Sequence, residues 1–385
     1  MSAKDYSADR IRRIPESIFS TMTRLAFEHK AVNLGQGFPD FDGPEWIMDA
    51  AYEAMRSGKN QYAPSPGIFS LRKVLSENEE EFYGLQYDPM TEITITAGAT
   101  EALFCSIHGL INPGDEVLLF EPFYDSHQAD VILAGGIPRY LTLHKPDFSF
   151  DTEAIREKIT PKTKMMIINT PHNPTGKIFS ENELKVLAEI AIENDLIVLS
   201  DEVYEYLLFD SNKHIPPASL PGMKERTVTI SSSGKTFGMT GWKVGFAFAP
   251  ENLTASIRAV HQWTNFAVNT PAQHAMAEAF SRIKDYLPGF RELYTKKRDL
   301  IYSLLRETKF TPHLPSGSYF IMAEVPGEFS DDVDCSTRLV KEYGVAVIPP
   351  SAFYAESAEG KSMIRLCFAK DDETIKKGAE ILGRI

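Results

Sequence analysis

Lys235 is the residue of this chain whose surroundings best suit covalent chemistry. It stands just beyond a run of alternating β-branched residues, Arg226 to Ile230, within the Gly- and Ser-rich segment Ser231 to Gly245. The run predicts a buried strand, and a lysine among small residues at its end can be partly desolvated. Desolvation lowers the pKa of an amine from about 10.4, making it a nucleophile that can form a Schiff base with a carbonyl cofactor. This segment alone is also compatible with a surface lysine in a turn. It is not a P-loop, because no glycine stands five residues before Gly234.

Two further charged residues occur in apolar surroundings. Asp201 follows the apolar run Asp195 to Leu199, and a carboxylate in such a place is costly to bury without a cationic partner. Arg365 interrupts the apolar run Met363 to Phe368 and needs an anion in the same way. For Arg365 the sequence leaves two interpretations open: an internal salt bridge, or a bidentate grip on a substrate carboxylate.

The elements that must position these residues form an α/β fold. Seven strands are predicted between Glu92 and Phe248, most of them separated by helices, which indicates a largely parallel, doubly wound sheet with helices on both faces. Ligands bind outside the carboxyl ends of the strands in such sheets. The candidates at or just beyond predicted carboxyl ends are Thr100, Tyr124, Asn173, Asp201 and Lys235.

Three of these positions have a specific physical use and a plain alternative. Thr100 stands where a strand meets a helix, so free amides and the helix dipole could hold a phosphate, although most strand–helix turns look like this. Tyr124 could lie against an aromatic ligand or simply pack. Asn173 lies in the loop Asn169 to Gly176, whose two prolines and glycine hold it in place.

Composition narrows the class of protein. The chain has 385 residues, 43% of them hydrophobic, and a net charge of −13, which argues against nucleic acid as a partner. The three cysteines and nine histidines lack metal-site spacing, so no metal site is expected, and the cysteines suggest a reducing cytosol. We find no long apolar span and expect no membrane segment. We predict an N-terminal arm that joins a small domain (1–45), a large domain (46–281) and a small C-terminal domain (282–385).

Eight short motifs follow one another along the chain. They are Asn33–Phe41, Asn60–Tyr62, Thr96–Thr100, Asn169–Gly176, Asp201–Tyr204, Ser232–Phe237, Gly241–Gly245 and Ile364–Phe368. In this order they resemble the class I/II, fold-type I aminotransferases, and within them the group acting on methionine, glutamine and kynurenine. The resemblance covers essentially the whole chain. It implies a mostly parallel seven-stranded sheet in a large domain, a smaller α+β domain, and pyridoxal 5′-phosphate as cofactor.

The resemblance also implies a role for each matching residue. The catalytic residues would be Lys235, Asp201 and Tyr204. The cofactor would be held by Gly98, Ala99, Thr100, Tyr124, Asn173, Asp201, Tyr204, Ser232, Lys235 and Lys243, with Tyr62 reaching over from the other subunit of a homodimer. The substrate would contact Gly37, Asn173, Arg365 and Phe19. Lys243 stands where many relatives carry arginine, so its phosphate contact would lack the bidentate fork. Tyr124 stands where many carry phenylalanine.

The implied reaction is a ping-pong transamination by a cytoplasmic enzyme (EC 2.6.1.-). Phe19, Tyr62 and Phe266 could form an apolar pocket, and no second arginine stands out for a dicarboxylic acid. We therefore expect methionine, aromatic amino acids, histidine or glutamine-like donors, with a 2-oxo acid as acceptor, rather than aspartate. The alternative is a kynurenine/glutamine aminotransferase with cysteine-S-conjugate β-lyase activity.

Overall fold

The computed structural model describes residues 5–385. Its strands are β1 (Val32–Asn33), β2 (Ile93–Ala97), β3 (Glu116–Glu121), β4 (Ile137–Thr142), β5 (Thr163–Asn169), β6 (Ile197–Asp201), β7 (Thr227–Ser232), β8 (Val244–Phe248), β9 (Thr311–His313), β10 (Phe320–Glu324), β11 (Val345–Ala346) and β12 (Met363–Cys367). Its α-helices are α1 (Asp9–Arg12), α2 (Ile18–Glu28), α3 (Glu45–Arg56), α4 (Phe69–Tyr83), α5 (Gly98–Leu110), α6 (Asp125–Leu133), α7 (Thr152–Lys158), α8 (Glu181–Glu193), α9 (Ser233–Thr236), α10 (Glu251–Thr264), α11 (Thr270–Ser281), α12 (Ile283–Arg306), α13 (Asp332–Arg338) and α14 (Asp372–Leu382).

The central sheet has seven strands, in the order β2-β8-β7-β6-β5-β3-β4. These are the seven strands predicted from the sequence, and the predicted α/β class is confirmed. All neighbours pair in parallel except β8, which runs antiparallel to both β2 and β7. Every residue of β3 and β8 is buried, as expected when helices cover both faces of a sheet.

Smaller sheets are formed mainly by the C-terminal part of the chain. β12, β10 and β9 form an antiparallel three-stranded sheet, and β1 pairs in parallel with β11, so that Val32 lies opposite Val345. The N-terminal segment thus joins the C-terminal part through main-chain hydrogen bonds. The domain boundaries at 45/46 and 281/282 remain a prediction; the second falls between α11 and α12.

Several element bounds differ from the sequence prediction in ways that matter for the site. β6 extends to Asp201 and β7 to Ser232, because polar residues at a strand end can still pair with the neighbouring strand. Helix α12 contains Pro288, which costs one hydrogen bond near the helix start. Among residues 5–385, no helix has both the length and the apolar character needed to cross a membrane.

Candidate active site

One cavity of about 770 Å³ opens where β2, β5, β6 and β7 end. All predicted site residues except Tyr62 line it, and they come from segments spread over almost the whole chain. They are Phe19, Gly37, Gly98, Ala99, Thr100, Tyr124, Asn173, Asp201, Tyr204, Ser232, Lys235, Lys243 and Arg365. The fold therefore brings together in space the residues that were picked from separate motifs.

Lys235 lies in the short helix α9, directly after β7. The side chain of Ser232 caps this helix by accepting a hydrogen bond from the amide of Gly234. The Nζ of Lys235 donates to the hydroxyl of Tyr319 at 2.9 Å and to the carbonyl of Gly37 at 3.2 Å. Burial disfavours the ammonium form and lowers the pKa of Lys235 to about 8, against a smaller opposing effect of nearby acidic groups. Near neutral pH a minor fraction of this amine is thus unprotonated, which is still far more than for an exposed lysine.

Asp201 is the last residue of β6, and a histidine side chain lies within hydrogen-bond distance of its buried carboxylate. Its Oδ2 lies 2.9 Å from Nε2 of His127, which donates to the carboxylate. Asn169 fixes the main chain here by donating from Nδ2 to the Asp201 carbonyl at 2.8 Å. His127 was missed in the sequence, where it is one of nine scattered histidines. Its position three residues after Tyr124, on the first turn of α6, was the available signal.

An anion could bind where α5 begins at Gly98, directly after β2. Ala97 has no side chain that can cap the helix, so the first amides of α5 need an outside acceptor. Gly98 has φ +76, and a Cβ there would lie 3.0 Å from Cε of Lys243. The Nζ of Lys243 lies 3.4 Å from Oγ1 of Thr100. A Cβ at Gly245 would lie 2.3 Å from the carbonyl carbon of Gly98, so only glycine lets β8 approach the helix start this closely.

Arg365 stands in the middle of β12 and is fully buried. It donates to Oδ1 of Asn173 at 3.0 Å and to the carbonyl of Gly35 at 2.7 Å. Its guanidinium carbon lies 4.9 Å from the ring centre of Phe19 and 4.2 Å from that of Phe320.

The charge of Arg365 is not matched by an internal carboxylate. Within residues 5–385 it forms no ion pair with Asp or Glu, and its Nε is buried without a hydrogen-bond partner. Burial lowers the pKa of Arg365 to about 10, which still leaves it charged at neutral pH. Of the two interpretations left open by the sequence, the geometry favours binding of a substrate carboxylate over an internal salt bridge.

Two tyrosines line the cavity with different exposure. Tyr204 is buried, with its ring 5.1 Å from that of Tyr319 in an edge-to-face arrangement. Tyr124 is half-buried and meets the His127 ring edge-on at 5.5 Å. Burial raises the pKa of both phenols, so both stay neutral hydrogen-bonding groups.

Two of the three predicted pocket aromatics lie away from the cavity. The Tyr62 side chain is 83% exposed and its ring lies 5.4 Å from that of Phe266, so within one chain only Phe19 reaches the cavity. The cavity mouth is instead formed by α2, through Phe19, Thr23 and Phe27 at four-residue spacing and by the neighbouring Arg24. Arg24 is a second arginine near the site, which the sequence analysis missed when it found none for a dicarboxylic acid.

A second group of buried titratable residues lies outside the cavity, around Glu202 next to Asp201. Glu205 accepts hydrogen bonds from Tyr83 at 2.9 Å and from Ser231 at 2.6 Å, and Glu202 pairs with His214. Oε2 of Glu79 is buried with no hydrogen-bond partner among the described residues. Burial, followed by the charges of Glu205 and Glu202, raises the pKa of Glu79 well above its usual range.

Comparison with known proteins gives a consistent result across sequence and structure. The family model described as "Aminotransferase class I and II" matches residues 29–382. The chain is 39% identical to the methionine aminotransferase of Escherichia coli K12 over 377 residues, which cover 98% of this chain and 97% of that protein. It is 41% identical to the probable N-succinyldiaminopimelate aminotransferase DapC of Mycobacterium tuberculosis over 389 residues, 98% of each. It is 38% identical to the kynurenine–oxoglutarate transaminase of Dictyostelium discoideum, covering 96% of this chain and 94% of that protein.

Comparison with solved structures also finds aminotransferases. The crystal structure of an E. coli protein identified as a methionine aminotransferase aligns with a TM-score of 0.94 at 38% identity, covering 99% of this chain and 100% of that chain. The structure of N-succinyldiaminopimelate aminotransferase from M. tuberculosis aligns with a TM-score of 0.95 at 40% identity, covering 98% and 99%.

Proposed function

This chain belongs to the class I and II aminotransferases, which use pyridoxal 5′-phosphate, and from that premise we propose that its amino donor is methionine, with aromatic, histidine or glutamine-like amino acids as further donors. The acceptor is a 2-oxo acid. Methionine is the donor in the name of a relative that is similar over almost the full length.

The residues that line the cavity fit this cofactor in charge and hydrogen-bonding capacity. Lys235 supplies a buried amine of lowered pKa for its aldehyde, and Asp201, oriented by His127, supplies a carboxylate for its ring nitrogen. The uncapped start of α5 and the ammonium of Lys243 would hold its phosphate. When bound, the cofactor supplies an electron sink for the charge that a departing proton leaves on the substrate Cα.

The protein's own groups then have distinct tasks. Asp201 would keep a proton on the ring nitrogen, and His127 would hold that carboxylate in position. Tyr204 and Asn173 would hold the ring oxygen. The amine of Lys235 would be the base that takes the proton from the substrate Cα and the acid that gives a proton back. Its pKa of about 8 suits both the removal and the return of a proton near neutral pH.

The observation that carries the proposed substrate class is the buried guanidinium of Arg365. It faces the same cavity as Lys235 and, within residues 5–385, has no carboxylate partner. Every α-amino acid and every 2-oxo acid carries a carboxylate next to the reacting carbon. A planar guanidinium can bind that group through two parallel hydrogen bonds and so orient the substrate Cα.

A second candidate donor follows from Arg24 at the cavity mouth. This exposed arginine could meet a carboxylate at the far end of a longer substrate, as in N-succinyldiaminopimelate, which names the M. tuberculosis relative. Its guanidinium already pairs with Glu28 at 3.3 Å on the surface of α2, which weakens this alternative. Phe19 and Phe27 beside it favour an apolar substrate side chain.

We also propose that the enzyme is a cytoplasmic homodimer with shared sites. Tyr62 is exposed and lies outside the cavity of its own chain, and Trp263 is 89% exposed. Large exposed aromatic side chains are enriched at interfaces. In a dimer, Tyr62 would reach the phosphate end of the partner's cavity.

A donor screen tests the proposed specificity. The purified protein is loaded with cofactor and mixed, without acceptor, with methionine, phenylalanine, glutamine, kynurenine, N-succinyldiaminopimelate or aspartate, and the loss of the cofactor's yellow colour is followed. We expect methionine to react fastest and the Lys235→Ala variant not to turn over. Aspartate as the fastest donor would overturn the proposal, and N-succinyldiaminopimelate as the fastest would favour the second candidate.

A further inference from the structure

Tyr319 is a buried residue beside the site that neither the sequence motifs nor the proposed mechanism uses. It lies immediately before β10, and its side chain is fully buried. Its main-chain carbonyl accepts from the amide of Phe368 at 3.0 Å, and its ring stacks on that of Tyr294, with 6.2 Å between the centres. The edge-to-face contact with Tyr204 holds the ring from another side. The hydroxyl is therefore fixed in position.

The direction of the hydrogen bonds at this hydroxyl can be assigned. Tyr319 Oη lies 2.5 Å from the carbonyl of Gly37, which can only accept, so the phenol proton points there. Its lone pair then faces Nζ of Lys235 at 2.9 Å and accepts a hydrogen bond from it. The same Gly37 carbonyl accepts a second hydrogen bond from Nζ at 3.2 Å. Lysine, tyrosine and carbonyl thus form a closed triangle.

The Gly37 loop is shaped to allow this contact. A Cβ on Gly37 would lie 2.8 Å from Cζ of Phe320, so a larger residue would push the loop away from the side chain next to Tyr319. The triangle therefore joins three chain segments: the N-terminal loop, the β7–β8 connection and the residue before β10. Both acceptors offered to Lys235 are uncharged, so they can hold the amine in its protonated and in its neutral form.

We propose that Tyr319 is a positioning residue that holds the ε-amine of Lys235 whenever this amine is free of the cofactor. The inference rests on the proposed role of Lys235. A free lysine side chain has many rotamers, and the fixed hydroxyl confines Nζ beside the reacting centre. Because an acceptor stabilises the ammonium more than the neutral amine, Tyr319 also keeps the pKa of Lys235 from falling further.

Other ionisable groups around Nζ also influence the pKa of Lys235. They are Asp201 and Cys367, which raise the pKa of Lys235, and Arg365 and Lys243, which lower it. The phenols of Tyr204 and Tyr319 stay neutral because burial raises their pKa. Replacing Tyr319 by phenylalanine changes none of these charges.

The test compares Tyr319→Phe with Tyr294→Phe, which removes a hydroxyl from the ring stacked on Tyr319. Cofactor-free proteins are labelled with a trace of acetic anhydride, which reacts with neutral amines, and acetylation of Lys235 is followed against pH by peptide mass spectrometry. The wild-type midpoint is expected at about 8. In Tyr319→Phe we expect it about one pH unit lower, which raises acetylation at pH 7 about fivefold. Tyr294→Phe should match the wild type.

Two results would overturn the proposal: an unchanged midpoint in folded Tyr319→Phe, or an equal shift in Tyr294→Phe. Should Tyr319→Phe fail to fold, Tyr319→Met fills the space with a flexible side chain and is judged by the same criterion. The labelling uses cofactor-free protein, so its outcome is independent of turnover. Activity that survives in Lys235→Ala would contradict the proposed function instead.

Discussion

Replacing Arg365 is the sharpest test of how the site recognises its substrate. Two of its N–H groups are already used by Asn173 and Gly35, and its unpaired Nε is among those left for a carboxylate. Arg365→Lys keeps a positive charge but can replace only one of two parallel bonds. At about 1.5–3 kcal/mol for each charge-assisted hydrogen bond, kcat/KM should fall about 10- to 150-fold. Arg365→Met loses both bonds and should fall about 10²- to 10⁴-fold.

The assay separates recognition of the carboxylate from general damage. Each variant is loaded with cofactor, and the single-turnover rate is measured with methionine and with 3-(methylthio)propylamine, which lacks only the α-carboxylate. The wild type should strongly prefer methionine, and the ratio of the two rates should collapse in Arg365→Met. Arg298→Lys is a matched control, because Arg298 is also buried but pairs with Asp210, outside the cavity.

A preserved ratio in a folded Arg365→Met variant would refute this reasoning. The substitution would then slow the reactions of both substrates equally. Arg365 would act only through the packing of Phe19 and Asn173 around the cavity. Loss of the ratio in Arg298→Lys would be equally damaging, since it would show that any buried arginine has this effect.

Three further predictions follow from contacts around the cavity and beyond it. His127→Leu leaves Oδ2 of the buried Asp201 carboxylate without its donor and should weaken cofactor affinity about tenfold in an absorbance titration; unchanged affinity would contradict the pairing. Glu79 has a raised pKa in the folded state, so the fold binds its proton more tightly than the unfolded chain does, and this contribution to stability is lost as pH rises above about 4.3. Glu79→Gln should therefore raise the thermal unfolding midpoint more at pH 8 than at pH 5, and an equal change at both would count against it. If Tyr62 completes the partner's cavity, Tyr62→Ala and inactive Lys235→Ala subunits should complement each other when they are mixed equally, unfolded and refolded together. About a quarter of the sites in that mixture should be complete, and its activity should exceed that of either variant alone.

The residues of the large sheet were readable from the sequence because each follows a strong local pattern. The apolar or β-branched runs before Asp201 and Lys235 identify buried strands, and the fold places their ends side by side. Parallel strands separated by helices then require the ends to meet at one edge. The chemistry of that edge could be predicted without knowing the order of the strands.

Contacts that cross the chain over long distances could not be predicted in this way. The interaction of His127 with Asp201 depends on α6, which follows β3, packing near the end of β6, two strands away in the sheet. Tyr319 reaches Lys235 and Gly37 across 84 and 282 residues of sequence. No local periodicity predicts such contacts, because they depend on how one sheet packs against the others.

The reversed direction of β8 has a consequence for how the cofactor leaves. Because β8 runs antiparallel to β7, with Ser232 opposite Gly245, the connection between the two strands begins and ends at the same edge of the sheet. Lys235 and Lys243, which we propose to bind the aldehyde and the phosphate of the cofactor, both lie on this one connection. Separation of β8 from β7 at this end would release both ends of the cofactor at the same time. Loss of the cofactor during mild denaturation should therefore follow a single exponential, with no half-attached species building up.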